Sequence, residues 1–581
     1  MIALSGSTPW SRASGAGGSD AGAWHGRCSG AVVLRGLVRR VRGAPIVSRV
    51  GVLAFAWFGI VGLRLPVDVD EGYYALAAEL VTLGRVPYAD FFYPQGPLYP
   101  YLLAPFVLLF GARFVVLRLV SSSFAALAAA LVAHLVHRET RSRLAAVAAV
   151  VMFATHELSW QWLVTIRPYG LGVALLLGSL VLATPLDREP RPRELVAAGA
   201  LGVVAPLMRL PFAPAFGVVP LALLLRGTNA GAYRGATILG LVALGAVSGW
   251  HPTTCAIAAS IAAATVAAAG PGAGAALKRV GAYSVGAAAV ALPTAFVFAR
   301  PWASFVYGLV GYHVDSSSLL TFPQNRAYLS SVIGGGAFLE LSASGTQTAL
   351  LLVANVVALT LPGASLRWAG LVGATALALG AARHGPLIEH YLTPIVPYLA
   401  VGAGMALGHL DGPSVAGARR KRPAVVAAIA AGALFVLASS SSLEKKWFAG
   451  RHNGWDDRGF RPRVLDEKVA AVVRATRERP GPLLATWPGS ALRCAERVMP
   501  GYENHFTRLV ASKKTAEEAA ALHLMSDEDV RAAIERRAPR VVVLDREAGV
   551  GADRVAFESL VEGAGYVRVE VVGDVAVYVR E

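Results

Sequence analysis

Apolar stretches of about 17–25 residues follow one another from residue 47 to residue 442, each long enough to cross a bilayer as a helix. They are rich in Ala, Leu, Val and Gly and do not alternate polar with apolar positions. That favours helices over an outer-membrane barrel. Only 16% of the residues are charged, where a soluble protein carries about a quarter. Lipid is therefore part of this chain's solvent, and the expected fold class is a polytopic α-helical membrane protein.

Net charge is +17, which would suit nucleic acid if the basic residues formed a groove with interleaved aromatics. Instead they sit in short segments between apolar runs: Arg35, Arg39, Arg40 and Arg42; Arg138, Arg141 and Arg143; Arg419, Arg420, Lys421 and Arg422. That is the positive-inside pattern of cytoplasmic loops, and no nucleic-acid partner is expected. Cys28, Cys255 and Cys494 lie in three distant segments and give neither a disulfide framework nor metal-ligand spacing. Residues 1–45, rich in Gly, Ser and Arg, read as a disordered basic cytoplasmic N-terminus. The first apolar run lacks a small-residue cleavage site and reads as a retained anchor.

With the N-terminus cytoplasmic, crossings fit 47–63, 113–136, 144–160, 167–184, 195–209, 211–225, 234–250, 252–269, 280–299, 345–362, 366–383, 391–409 and 424–442. This gives about thirteen transmembrane helices, with every basic loop on the cytoplasmic side. The stretch 98–136 is too long for one crossing at about 1.5 Å per residue. Pro100, Pro105 and Gly111 punctuate its first part, which fits a membrane-skimming helix. Long outer loops are expected at 64–97 and 300–344, within a membrane domain spanning 46–443. From 444 to 581 charges become dense, and β-branched runs appear at 483–487, 541–545, 566–572 and 575–579. Helical periodicity covers 516–525 and 527–537, the latter opened by Ser526 as N-cap, and Gly573-Asp574 turns a closing hairpin. The expectation is a small extracytoplasmic α/β domain.

The chemistry is expected in the first outer loop, which holds Asp68, Asp70, Glu71 and Asp90. Charge at the edge of a bilayer is costly unless solvated or paired, so such a cluster marks a site. Asp70 and Glu71 also fit the first turn of a helix over residues 72–83, where acids complement the dipole.

The motifs are specific enough to show a resemblance. Asp70-Glu71-Gly72-Tyr73-Tyr74, then Gly84-Arg85-Val86-Pro87-Tyr88-Ala89-Asp90-Phe91-Phe92 and Gln95-Gly96-Pro97-Leu98-Tyr99, resemble the first outer loop of GT-C glycosyltransferases. Within these, the protein O-mannosyltransferase and lipid A aminoarabinose transferase group is the most similar. Arg118, Arg167-Pro168 and His390-Tyr391-Leu392-Thr393-Pro394 resemble later segments, so the likeness covers roughly 46–410. It implies a GT-C fold, a polyprenyl-phosphate sugar donor and inverting transfer on the outer face of the plasma (inner) membrane. The acceptor would be a lipid, glycan or protein bearing a hydroxyl or amine. It implies Asp70 as catalytic base, with Glu71 beside it.

The same chemistry asks for these groups on its own account. Inverting transfer needs a carboxylate to take the acceptor's proton, and a phosphate leaving group needs cationic stabilisation rather than a strong acid. Arg113, Arg118, Arg167, Arg209 and Arg300 fall at outer helix ends, and arginine suits phosphate by its paired donors. Arg118, Arg167, His390 and Tyr391 are the donor-phosphate candidates, and Asp90, Tyr73 and Gln95 the acceptor or supporting set. Asp68 reads as a solvated bystander, and His313 and Asp315 as weaker candidates in the second outer loop. Gln95 departs from relatives with a charged residue there. A divalent cation held by Asp70, Asp90 and Glu71 with water is compatible with the residue types, though no spacing demands it. The competing readings are a transporter or flippase of a lipid-linked saccharide, and a non-catalytic polyprenyl-lipid-binding envelope protein. The tail aromatics Trp455, Trp487, Tyr502, His505 and Phe506 suit either stacking on a sugar or the tail's own core.

Overall fold

The computed structural model describes residues 45–185, 188–225, 273–317, 343–360, 389–411, 432–433, 435–438, 440, 451–452, 455–456, 458–477, 479–545 and 554–580. The expected disordered segment 1–45 and the crossings at 234–250, 252–269 and 366–383 lie almost wholly outside these residues, as does most of 424–442. Among the described residues, Ile46–Arg64, Phe114–Thr140, Gly274–Val297 and Leu392–His409 are long and apolar enough to cross a membrane. Leu98–Phe110, Arg143–Thr155 and Tyr169–Ala183 are shorter apolar helices. Leu53, Ile60, Leu292 and Phe296 are exposed on the spanning helices, as lipid-facing side chains must be.

These helices lack a hydrophobic drive toward one another in lipid, so close backbone approach decides their pairing. Pro192–Met208 crosses Ala273–Val297 at two reciprocal glycines. A Cβ on Gly199 would stand 1.9 Å from the Tyr283 carbonyl oxygen, and one on Gly286 1.8 Å from that of Val196. The helix expected at 280–299 begins earlier, at Ala273, and ends at Val297.

The expected crossing at 144–160 is two pieces, Arg143–Thr155 and Glu157–Trp162. His156 breaks it with extended backbone, and its ring accepts from the Leu158 N–H at 3.2 Å. The skimming segment is a helix, Leu98–Phe110, ended at Gly111 with φ 77°. The loop expected at 64–97 is mostly ordered by a helix from Val69 to Thr82, and the one expected at 300–344 opens with short helices at Trp302–Val306 and Tyr312–Ser317. Residues 318–342 of that loop lie outside the described residues.

The four β-branched runs of the tail form one sheet. Leu483–Ala485 pairs in parallel with Val541–Leu544, which pairs antiparallel with Val575–Arg580, itself paired with Tyr566–Val572 around Gly573. Ser526 caps Asp527–Glu535 as its sequence implies. The sheet does not stand apart from the membrane helices, because residues 46–581 form one compact unit. Its core residues Leu484, Trp487 and Val543 belong to the same buried cluster as Tyr73, Tyr74 and Tyr99 near the acidic helix.

Candidate active site

The acidic helix Val69–Thr82 starts where its sequence tells it to. Asp68 is the N-cap, its carboxylate accepting from the Asp70 N–H at 3.1 Å, while Glu71 reaches back to accept from the Asp68 N–H at 2.7 Å. This is a capping box in which aspartate takes the place of serine. The cap fixes three carboxylates within one turn, at the positive end of the helix dipole.

Each carboxylate then meets a different partner. Glu71 is fully buried against Arg118, also fully buried. The guanidinium donates from Nε to Oε2 at 2.5 Å and from Nη2 to Oε1 at 2.6 Å, and its other hydrogens reach the carbonyls of Gly62 at 3.1 Å and Pro66 at 2.6 Å. The Ile166 N–H adds a bond to Glu71 Oε2 at 2.8 Å. This pair is closed on itself and ties the acidic helix to two membrane helices.

Asp68 and Asp70 share a second arginine. Arg167 Nη2 forms ion pairs with both, at 2.9 Å to Asp70 Oδ2. Arg167 is 3% exposed, lies over the Trp162 ring at 5.2 Å, and its Nε and Nη1 meet no hydrogen-bond partner among the described residues. Arg209, the C-cap of Pro192–Met208, donates to the Tyr74 hydroxyl at 3.2 Å and sits 4.8 Å over the Tyr169 ring. The His390 ring packs 5.1 Å from Trp162 and 5.7 Å from Tyr169. Arg167, Arg209 and His390 therefore gather around Trp162 and Tyr169, with Asp70 at the margin. Burial pushes the Asp70 carboxyl up to about 6, Arg167 and Arg209 opposing and Asp68 and Glu71 adding to the rise.

No protein-family model matches the sequence, and no curated protein matches it. Solved structures do. ArnT from Cupriavidus metallidurans bound to undecaprenyl phosphate superimposes with a TM-score of 0.56 at 14% identity, covering 95% of this chain and 98% of that one. The same protein in the apo state gives 0.54 at 13% identity, over 94% and 98%. A more distant likeness, at 0.43 and 15% identity over 89% and 72%, is to the Archaeoglobus fulgidus oligosaccharyltransferase in the apo form. The chain has the GT-C fold.

Within that GT-C frame the expected site residues are placed as follows. Arg118, expected at the donor phosphate, donates four hydrogen bonds to Glu71 and two carbonyls. Glu71, expected beside the base, is fully buried in the same pair. Asp68 is no bystander, since it caps the helix and pairs with Arg167. Asp90 is exposed and accepts from the Val86 N–H at 2.7 Å in its own turn. Asp70, Glu71 and Asp90 therefore do not converge, and no cluster of three or more His, Cys, Asp or Glu side chains fit to hold a metal occurs among the described residues. A cation held by that trio does not fit.

Gln95 is buried, its carbonyl accepting from the Tyr88 hydroxyl, and it lines a small cavity with Gly96, Arg209 and His313. His313 in turn lies 3.0 Å from the Pro94 carbonyl, and Asp315 pairs with Lys514 of the tail. Tyr73 is buried between Tyr74 and the tail, its ring 6.0 Å from Phe506. Tyr391 lies in the 3-10 turn Glu389–Ile395, and its side chain is outside the described residues.

Two features were missed from sequence. The Asp68-x-x-Glu71 spacing is itself a capping-box signal and was open to view. The singling out of Arg209 from five similar arginines needed the fold, because its partners Tyr74 and Tyr169 are far away in sequence.

Proposed function

We propose that this chain is a membrane-embedded glycosyltransferase that moves a sugar from a polyprenyl-phosphate donor to an acceptor hydroxyl or amine, with inversion, on the outer face of the membrane. The observation that carries the reading is the Asp70–Arg167 pair. It joins a carboxylate raised toward neutrality to a buried guanidinium whose Nε and Nη1 are unpartnered among the described residues. Asp70 and Arg167 have the chemistry of the two ends of a sugar transfer.

Asp70 accepts the acceptor's proton as its oxygen or nitrogen attacks the anomeric carbon. Arg167, with Arg209, meets the phosphate as negative charge collects on the departing oxygen. Their placement over Trp162 and Tyr169 fixes the guanidinium planes and excludes water, which strengthens the attraction. His390 stands beside both arginines as a further contact for the phosphate. The ArnT structure of the same fold holds undecaprenyl phosphate, which agrees with a lipid phosphate as the ligand of this side.

The discriminating experiment uses Asp70→Asn in purified, full-length protein. Transfer from a panel of labelled polyprenyl-phosphate sugars is measured together with binding of undecaprenyl phosphate. The transferase reading expects transfer to fall by about 10²–10⁴-fold, the usual contribution of a general base, with lipid binding retained. Wild-type levels of transfer in Asp70→Asn would sink it. A wild-type protein that moves lipid-linked sugar across vesicles without transferring it would establish a transporter instead.

A further inference from the structure

The tail carries a set of polar side chains for which the chemistry above has no use. Tyr502, Glu503, Asn504 and His505 are all buried, His505 being 7% exposed and the others less. The Tyr502 hydroxyl, Glu503 Oε2, Asn504 Nδ2 and both ring nitrogens of His505 meet no hydrogen-bond partner among the described residues. Native interiors rarely leave such atoms unpaired, because each forfeits its hydration without replacement. Here they cluster in four consecutive residues.

The backbone of this turn, by contrast, is satisfied. The Tyr502 N–H donates to the Met499 carbonyl at 3.0 Å, the Phe506 N–H to Asn504 Oδ1 at 2.9 Å, and the Thr507 N–H to the Asn504 carbonyl at 3.2 Å. Glu503 Oε1 is held by Arg85 at 3.3 Å. The turn is thus fixed, while the Tyr502 hydroxyl, Glu503 Oε2, Asn504 Nδ2 and the His505 ring nitrogens stay unpartnered among the described residues. It also faces the candidate base. The His505 and Phe506 rings lie 6.5 and 6.0 Å from that of Tyr73, and Asp68 acts electrostatically on His505. Tyr73 and Asp70 are one helical step of three residues apart, hence on the same face.

We propose that the turn at 502–506, together with Tyr73, is the acceptor subsite and that the acceptor it takes is a saccharide. The inference rests on the transferase reading for the direction of the chemistry, but binding can be tested without it. A sugar hydroxyl both donates and accepts. The set answers it with a phenol, a carboxylate oxygen, an amide donor and an imidazole. The rings of Phe506 and Tyr73 supply the apolar surface that a sugar's C–H face requires. A peptide acceptor binding as an added strand would need free backbone groups, and this turn has spent the N–H groups of Tyr502 and Phe506 internally.

The test uses the full chain in nanodiscs and saturation-transfer NMR. The probes are the methyl glycosides of glucose, galactose, mannose and N-acetylglucosamine, with a Ser/Thr-containing peptide as the opposing class. Undecaprenyl phosphate binding is measured in parallel. Wild-type protein should saturate at least one glycoside, and Asn504→Asp and His505→Gln should each weaken its binding about tenfold, as loss of a hydrogen bond to ligand does. Asn504→Asp keeps the turn's Oδ1 contact but also adds a buried carboxylate beside Glu503, so retained lipid binding and the charge-neutral His505→Gln separate loss of the subsite from unfolding. Lipid binding should stay unchanged in both variants. Equal glycoside binding in wild type and variants, or saturation of the peptide alone, would overturn the subsite. Glycoside binding by a chain that shows no donor use would leave the subsite standing and remove the transferase reading.

Discussion

At Asp70, burial raises the carboxyl while Arg167 and Arg209 hold it down, and the outcome of about 6 places the group where a base can work. A base acts only when deprotonated. The rate constant kcat/KM should therefore rise about tenfold per pH unit below 6 and level off above it, from the titration of this one group. The limb should vanish from the residual activity of Asp70→Asn, and a limb that persists there would assign it to another group. Arg167→Lys keeps the charge but loses the planar set of donors. Donor KM should rise about tenfold or more while acceptor KM holds. From sequence, Asp70 and Arg167 stood out as candidates because their residue types match the chemistry and both stand beside apolar runs, and the structure brings the two together. The use of Arg118 was not, because its carboxylate partner lies 47 positions away and only packing brings the two together.

At the scale of the element, two of the acidic helix's attachments are a fully buried ion pair and a close approach at one glycine. Removing one member of such a pair leaves an uncompensated buried charge, whereas replacing both by apolar groups does not. Arg118→Met should therefore lower stability by about 3–5 kcal/mol, and Glu71→Leu/Arg118→Met should recover most of it. Thermal unfolding of the two purified variants checks the order. A double variant less stable than the single one would show that the pair contributes more than charge balance. Gly72 answers a different constraint. A Cβ there would stand 2.7 Å from the Gly489 nitrogen and 2.7 Å from the Trp487 ring, so Gly72→Ala should push the tail off the helix and expose residues near 488 to limited proteolysis. The helix itself was readable from its capping signal. Its dependence on Gly72 was not, since the neighbour that forbids a side chain comes from the tail.

At the scale of the whole molecule, the tail is built into the site. Asp466 caps the membrane helix Phe114–Thr140, accepting from the Phe114 and Val115 N–H groups at 2.7 and 3.1 Å. The Trp487 indole donates to the Val69 carbonyl at 2.8 Å and stacks on Phe114 at 5.6 Å. The strands of the tail were legible because β-branched runs bounded by turn residues carry a local signal. Their attachment was not, because caps such as Asp466 act between segments some 350 residues apart. Two carboxylates sit in this contact: Glu79, which accepts from the Arg493 N–H, and Glu503, paired with Arg85. Burial raises each to about 7, above the value of about 4.3 expected in an unfolded chain. Folding therefore favours their protonated forms. The stability they add is present below pH 4.3 and is lost as the pH climbs to about 7. Asp70 works in the same direction over a lower range. The unfolding temperature of the full chain should fall between pH 5 and pH 8, and Glu79→Gln/Glu503→Gln should flatten that slope. An unchanged slope in the double variant would place the pH response elsewhere and leave the two carboxylates as neutral bystanders of the contact.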